Sequence, residues 1–548
     1  MIVQTKEKNL YILTEERPKE EVVSFIAKKY AQDAGKECKN GKIKITPVIE
    51  KGKFCFKWII QGIKIEGIDK IIVENVSGTS SFVDFLVFVE NQDPDPKTSK
   101  PLYVIEETKT NPSESRNVSV FQRMAKFVFV EQYPLMKDSE KIMLYTIRRP
   151  YFTYPPTFDF GLKSMKTLDV NPVFLQNQYM NGLNVNKDGK LDEPGFKDFD
   201  ELMKLKNELS TDRDDNIPIR INIEEEIKGE VEKISISAKL EKSGGFDYDP
   251  NIGAVSLLSF LSKKLCKSIK QIIIKEHCCD GYKNSKNVEI DSIKDEVERS
   301  KGKFVKICNA LENNFKVKIS LDGIKMLEEG LNSEYWHKEI TGEKIGTIFL
   351  HLALLKKYHV IYEQHAGTER GYFVTPVYFL GQYGKEYDEL FKTYQEYSQK
   401  NLDQDDFKNL LKKKNGLQDL PKDKSSKKIF GSNNSCKTFH IPDLILLDIE
   451  NKMILILEGE KAENVYKKDK GVNQLPLFDD LKKFYLEKYY PKYDVEKFVV
   501  LYGDEELPSE MSEDDKKKVI FRLKTDGSMI TTDTCPQSIK DVISKLQK

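Results

Sequence analysis

The sequence predicts an α/β (α+β) chain in which two compact mixed-sheet domains, one near each end, flank a mixed α/β middle. Three observations carry that prediction. The chain runs to 548 residues, too long for one ordinary core. The same order of short apolar runs and helix occurs twice, at about 41–150 and about 435–548. Short buried strands with a helix between the second and third imply a mixed sheet with a crossover helix.

In the first segment the apolar runs are 82–89, 102–105 and 141–145, with a helical stretch over 117–130. In the second they are 444–447, 453–457 and 498–502, with a helix expected around 473–488. The middle mixes strand-like runs at 219–223 and 233–238 with a helical run at 255–265, and about 155–420 holds no catalytic signature. Residues 359–378 are rich in aromatics and His. The stretches PKDKSSKK at 421–428 and GSNNS at 431–435 read as a linker or exposed loop. Boundaries are therefore expected at 1–150, 151–430 and 431–548.

Composition narrows the class. With 39% hydrophobic and 32% charged residues, the chain reads as soluble and globular. No run of 18 or more apolar residues occurs, so no membrane span is expected. The start, MIVQTKEKNLYIL, lacks the order of a signal peptide, so a cytoplasmic location is expected. The 88 basic and 88 acidic residues exclude a polycation, yet a basic cleft beside an acidic site can sum to zero. Eight scattered cysteines argue against a disulfide framework. The group His277, Cys278 and Cys279, with Cys266 and Cys308 nearby, lacks CxxC knuckles and reads as buried free thiols rather than zinc. His351 and His365 read as ordinary satisfied side chains, and the basic run 412–414 as a solvated helix face. Without a Walker loop or a GxGxxG, no nucleotide cofactor is expected.

The two segments read as a duplication. The first has VDFLVFVE at 83–90 and YVIEETK at 103–109; the second has PDLILLDIE at 442–450 and LILEGEK at 455–461. Downstream come Lys126-Phe127, Tyr133-Pro134 and EKIMLY at 140–145, against Lys483-Phe484, Tyr490-Pro491 and EKFVVLY at 496–502. Gln122 and Gln474 each lie thirteen residues past Lys109 and Lys461. That match and the Lys-Phe match cannot both hold without an insertion.

An Asp on one strand and an acidic pair with Lys on the next form a metal constellation. Residues i and i+2 of a strand share a face, so Glu458 and Glu460 are expected to point into space that Asp443 reaches. Three converging carboxylates repel unless a hard cation sits among them, and Mg²⁺ is the usual one. Such an ion polarises a phosphate and acidifies a water, while Lys461 positions or helps deprotonate the nucleophile. In the first segment Asp84 takes the Asp part. Glu107 with Lys109 has the acid-x-Lys spacing, whereas counting along the strand matches Glu106 to Glu458. Glu107 is favoured for its spacing. The bland reading of one such motif is a strand-closing acid beside a solvated Glu-x-Lys pair; two in matching context favour a site. Asp448 reads as a solvent-facing or turn acid rather than a ligand. Gln122 and Gln474 read as exposed helix polars, or as side chains placing the phosphate or the Lys.

On these residues the chain resembles the PD-(D/E)xK nucleases, specifically type II restriction endonucleases. Pro442-Asp443 is literal, while Val83 stands where the family often has Pro. Two such domains in one chain are similar to type IIS enzymes with one site per strand. The resemblance implies a Mg²⁺-dependent, site-specific endonuclease acting on double-stranded DNA and leaving 5′-phosphate and 3′-hydroxyl ends. Asp84, Glu107 and Lys109 would form one site; Asp443, Glu458, Glu460 and Lys461 the other. Glu106, Gln122 and Gln474 are further candidates, and the middle would read sequence. A monomer is expected, with a dimer as the alternative. The competing expectations are a repair or RNA nuclease of the same fold, and a DNA-binding protein whose nuclease domains are relics.

Overall fold

The computed structural model describes residues 8–15, 17–78, 83–95, 98–108, 118–130, 134–146, 156–175, 194–211, 220–238, 249–276, 312, 316–322, 336–337, 345–354, 357–363, 442–468, 470–487 and 490–548. They belong to two compact units. One joins the chain ends, Met1–Ser77 with Lys338–Lys548; the other is Gly78–His337.

The N-terminal part of the first unit holds β1 (Lys8–Thr14), α1 (Glu20–Asp33), β2 (Cys38–Glu50), β3 (Lys53–Ile65) and β4 (Ile68–Asn75). Helix α1 buries Val22, Val23, Ile26, Ala27 and Tyr30, one helical face, and opens on Glu20 and Glu21, which suit the positive end of its dipole. Strands β2, β3 and β4 form an antiparallel meander, and β1 pairs parallel with β4.

The second unit holds β5 (Phe85–Glu90), β6 (Tyr103–Thr108), α2 (Val118–Val130), β7 (Glu140–Tyr145), α3 (Pro156–Thr167), β8 (Val170–Phe174), α4 (Phe199–Thr211), β9 (Arg220–Ile227), β10 (Glu230–Ala238), α5 (Asp249–Leu265), β11 (Gln271–Glu276) and β12 (Lys318–Asp322). The C-terminal part of the first unit follows with α6 (Ile345–Leu354), β13 (His359–Glu363), β14 (Leu444–Asp448), β15 (Met453–Lys461), β16 (Asp494–Tyr502), β17 (Val519–Leu523), β18 (Met529–Thr531) and α7 (Gln537–Gln547).

One pairing pattern recurs three times: an antiparallel pair, then two parallel additions. It joins β5, β6, β7 and β8, then β9, β10, β11 and β12, and then β14, β15, β16 and β17. Helical chain lies between the second and third strands each time, as a parallel crossover requires. Every residue of β6 and seven of the nine in β15 are buried, the mark of strands covered on both faces. The mixed α/β class expected from the sequence is thus observed, and most apolar runs became strands within a few residues of their expected ends.

The units do not follow the boundaries expected at 150 and 430. Phe54 of β3 packs on Trp58 and on Phe349 of α6, both with ring centroids 4.8 Å apart, and Phe349 stacks on Phe521 of β17 at 5.8 Å. The Phe54 N–H donates to the Gly527 carbonyl at 2.9 Å. Gly527 has φ +82°, and a Cβ there would lie 2.1 Å from the Phe54 carbonyl oxygen, so only glycine fits this approach. Burial of these rings ties the N-terminal meander to the C-terminal sheet, a bond between segments that no local pattern announces.

The helix expected over 473–488 is also broken up. It runs as a 3₁₀ helix at Gly471–Phe478, a short α turn at Asp479–Leu481 and a π turn at Lys482–Leu486. Pro476 inside the first piece has no N–H to donate, which prevents a regular α ladder. Among the described residues no helix is long and apolar enough to cross a membrane. His277, Cys278, Cys279, Cys308, His365 and the stretches 412–414, 421–428 and 431–435 lie outside the described residues. His351 is buried in α6, and Cys266 is half-buried and free.

Candidate active site

The two acidic segments occupy the same place in the same pattern. Phe85 pairs with Ile105, and Leu444 pairs with Leu457. Asp84 and Asp443 each sit one residue before that pair, Glu106 and Glu458 one residue after it. The Glu107 N–H donates to Asp84 Oδ2 at 2.6 Å, and the Gly459 N–H to Asp443 Oδ2 at 2.9 Å. Each Asp thus caps the backbone of the strand that carries its Glu. Glu140 pairs with Tyr103 and Glu496 with Leu455, so the two Glu-Lys starts also coincide, while Tyr145 and Tyr502 fall one position apart.

This register orders the alternatives left by spacing. Glu106 corresponds to Glu458, and Glu107 to Gly459; Thr108 and Glu460 correspond, as do Lys109 and Lys461. The preference for Glu107 by spacing gives way to Glu106 as the counterpart of Glu458. Glu107 is an addition of the first copy alone. The sheet of β9 to β12 has no acid in this place: Arg220 pairs with Ser237, and β10 ends at Ala238. The pairing pattern alone therefore does not make the site; the acids do.

Around Asp443 the acids are buried, and their partners include backbone N–H groups and side-chain amides. Asp443 is 4% exposed, Glu458 8% and Glu460 1%. The Asp443 N–H donates to Glu458 Oε2 at 3.2 Å, and the Gln474 amide to Glu458 Oε1 at 2.8 Å. Glu460 Oε1 accepts from the Lys461 N–H at 3.0 Å and from Asn464 Nδ2 at 3.3 Å, and Lys470 Nζ lies 3.7 Å from Oε2. Gln474 reaches the acid because the 3₁₀ helix begins at Gly471, whose φ of +51° turns the chain tightly against Val465. The Lys461 side chain is half-buried.

Around Asp84 the acids meet cations instead. Glu106 is fully buried. Its Oε1 accepts from Arg123 at 2.7 Å and from Lys126 at 2.8 Å, and its Oε2 accepts from Lys126 at 2.9 Å. Arg123 also donates to the Glu107 carbonyl, and Lys126 lies 4.0 Å from Asp84 Oδ1. Arg123 and Lys126 stand three residues apart on α2, one helical face. Burial pushes Glu106 up to about 7, and the Asp84 charge adds to the rise against the pull of Lys126 and Arg123. Burial works against the charge on Lys126 and Arg123, but Glu106 and Asp84 outweigh it and both end above their ordinary values. Glu107 turns to the other face, where Thr146 Oγ1 donates to its Oε1.

The structure therefore brings Asp84 to Glu106 and Glu107, and Asp443 to Glu458. It does not gather Asp443, Glu458 and Glu460 on one point as the strand alternation suggested. Glu460 turns toward Lys461, Asn464 and Lys470. Among the described residues no three acidic, His or Cys side chains lie close enough to hold one ion. Lys109 and the Gln122 side chain lie outside the described residues. Asp448 accepts from Asn451 in a tight turn, and it is buried there rather than solvent-facing. Sequence reading missed Arg123, Thr146, Asn464 and Lys470, and took Lys126 only as part of a repeat. The signal for the cations was present, since an Arg and a Lys at i and i+3 on a largely apolar helix need buried partners.

No protein-family description matches the chain, and neither does a characterised protein or a solved structure. The functional reading rests on these two centres.

Proposed function

We propose that the chain is a Mg²⁺-dependent endonuclease of double-stranded DNA, similar in its centres to PD-(D/E)xK enzymes, in which each centre cuts one strand. The observation that carries this reading is the twofold occurrence of an Asp and a Glu in one strand register, each Asp bound to the backbone N–H just past its Glu. Structural acids have no reason to repeat that arrangement when the third sheet of the same pattern does without it.

The donor chemistry at Asp443 fits magnesium, which takes one or two carboxylates and keeps water and substrate oxygens for its other positions. Asp443 with Glu458 would hold the ion, and three acids are not required. When bound, it supplies a Lewis acid for the scissile phosphate and lowers the pKa of a water. Gln474 holds Glu458 in place without neutralising it. Lys461, three residues past Glu458, adds positive charge on the strand end where a phosphate would sit. Asp84 and Glu106, the counterparts of Asp443 and Glu458, would play the ligand parts in the other centre, with Lys109 matching Lys461.

A second reading has one specific support. The Glu106 carboxylate is already engaged by Arg123 and Lys126, so the Asp84 centre would be held by its own cations and the Asp443 centre alone would cut. Supercoiled plasmid separates the readings. Wild-type protein with Mg²⁺ should linearise it, and excess chelator should stop the reaction. If both centres work, Asp443→Ala and Asp84→Ala should each stop at the open circle, nicking opposite strands. If only Asp443 matters, Asp84→Ala should cut as wild type does. Cleavage undiminished by chelator would remove the metal reading altogether.

A further inference from the structure

We propose that the β2–β3 ribbon of the first unit is a binding surface for the phosphate backbone of duplex DNA. This rests on the reading that the chain acts on DNA, and adds where the duplex is held. Lys39, Lys42, Lys44 and Lys64 are all exposed on this ribbon. Strand β2 lies at the edge of the β2–β3–β4–β1 array. Lys39 and Lys64 stand directly opposite each other in the antiparallel register. Like charges directly opposite each other destabilise a pair, so the ribbon carries a cost that an external anion relieves. Glu37, 3.3 Å from Lys39, answers only one of the two. Among the described residues no acid lies within ion-pair distance of Lys42, Lys44 or Lys64.

The ribbon is also shaped. Asn40 pairs with Ile63 and Lys44 with Gln61, so residues 41–43 bulge opposite Gly62 alone. Gly62 has φ +95°, and a Cβ there would lie 2.2 Å from the Lys42 carbonyl oxygen. Glycine is thus required at this position, and the bulge re-aims Lys42 relative to a regular strand. A two-stranded ribbon is narrow enough to lie in the major groove, where its lysines reach the flanking phosphates. The rival role for lysines on an edge strand is to block sheet-to-sheet aggregation, which needs no nucleic acid.

Equilibrium binding of the full chain to a fluorescent duplex, in Ca²⁺ or chelator so that nothing is cut, decides the matter across a salt series of about 50–200 mM. The variant is Lys42→Gln/Lys44→Gln/Lys64→Gln. The control is Lys516→Gln/Lys517→Gln/Lys518→Gln, an equal loss of charge where each Lys has its own acid three residues earlier. The ribbon variant should bind at least about tenfold more weakly and lose about two to three from its salt slope, at roughly 0.9 per phosphate contact. The control should match wild type, and circular dichroism should show all three folded. Equal losses in variant and control, or none in either, overturn the ribbon while leaving the nuclease reading intact. Strong binding that depends on the ribbon, without cleavage at any Mg²⁺ concentration, supports the ribbon and sinks the nuclease. A wild-type chain that binds no duplex refutes both.

Discussion

Replacing Glu106 by Gln should stabilise the second unit at alkaline pH, although it removes the acid from two buried ion pairs. The carboxyl of Glu106 rises from an ordinary 4.5 to about 7, burial being the largest cause. A carboxyl raised in the folded state binds its proton more tightly there than in the unfolded chain. The folded state is therefore unpenalised below 4.5 and loses stability as pH climbs through 7. At 1.36 kcal/mol per pH unit, the rise from 4.5 to about 7 is worth on the order of 3 kcal/mol once the group is fully ionised. The amide of Gln has nearly the carboxyl's shape and still accepts from Arg123 and Lys126, without the desolvated charge. At pH 5 the variant and wild type should agree within about 1 kcal/mol; at pH 8 the variant should be more stable by about 3 kcal/mol. Hydrogen exchange read at β6 and β7 reports that local stability, and the gain corresponds to about 150-fold slower exchange. A variant that exchanges faster than wild type at pH 8 would falsify the reasoning, because the ion pairs would then outweigh the burial.

The Asp443 centre offers two further tests. Gln474→Leu leaves the buried Glu458 Oε1 without its amide donor, and should cost about 1–3 kcal/mol in the first unit. Thermal denaturation should show the drop, together with slower cleavage from this centre; an unchanged midpoint and rate would mean that Gln474 positions nothing. Gly471→Ala forces a side chain onto a φ of +51° and places its Cβ 2.2 Å from the Val465 carbonyl oxygen. It should cost more than about 1 kcal/mol and displace Gln474, reproducing the kinetic defect of Gln474→Leu while leaving the Asp84 centre as it was. Normal cleavage in this variant would break the link between the turn and the site.

The strands that carry the acids were legible in the sequence. Runs such as FLVFV and MILIL bury on both faces, and that information is local, so β5 to β7 and β14 to β16 appear close to where the pattern put them. The places of Asp84 and Asp443 at the mouths of those runs were legible too, and each meets a backbone N–H of the facing strand. The choice between Glu106 and Glu107 was not, since both lie next to Asp84 in any reading of spacing. Only the pairing of Phe85 with Ile105, set by the whole sheet, makes Glu106 the counterpart of Glu458.

Tertiary structure alone decided three things. It joined Phe54, Phe349 and Phe521 into one cluster, and so made a single unit of the two chain ends. It brought Arg123 and Lys126 of α2 to Glu106, while in the other copy the neutral Gln474 met Glu458. It turned Glu460 away from Asp443, although strand alternation put Glu460 on the face of Glu458. The reason is the same each time. A periodic pattern fixes which face of an element is buried, but the partner across that face comes from elsewhere in the chain, and only packing selects it.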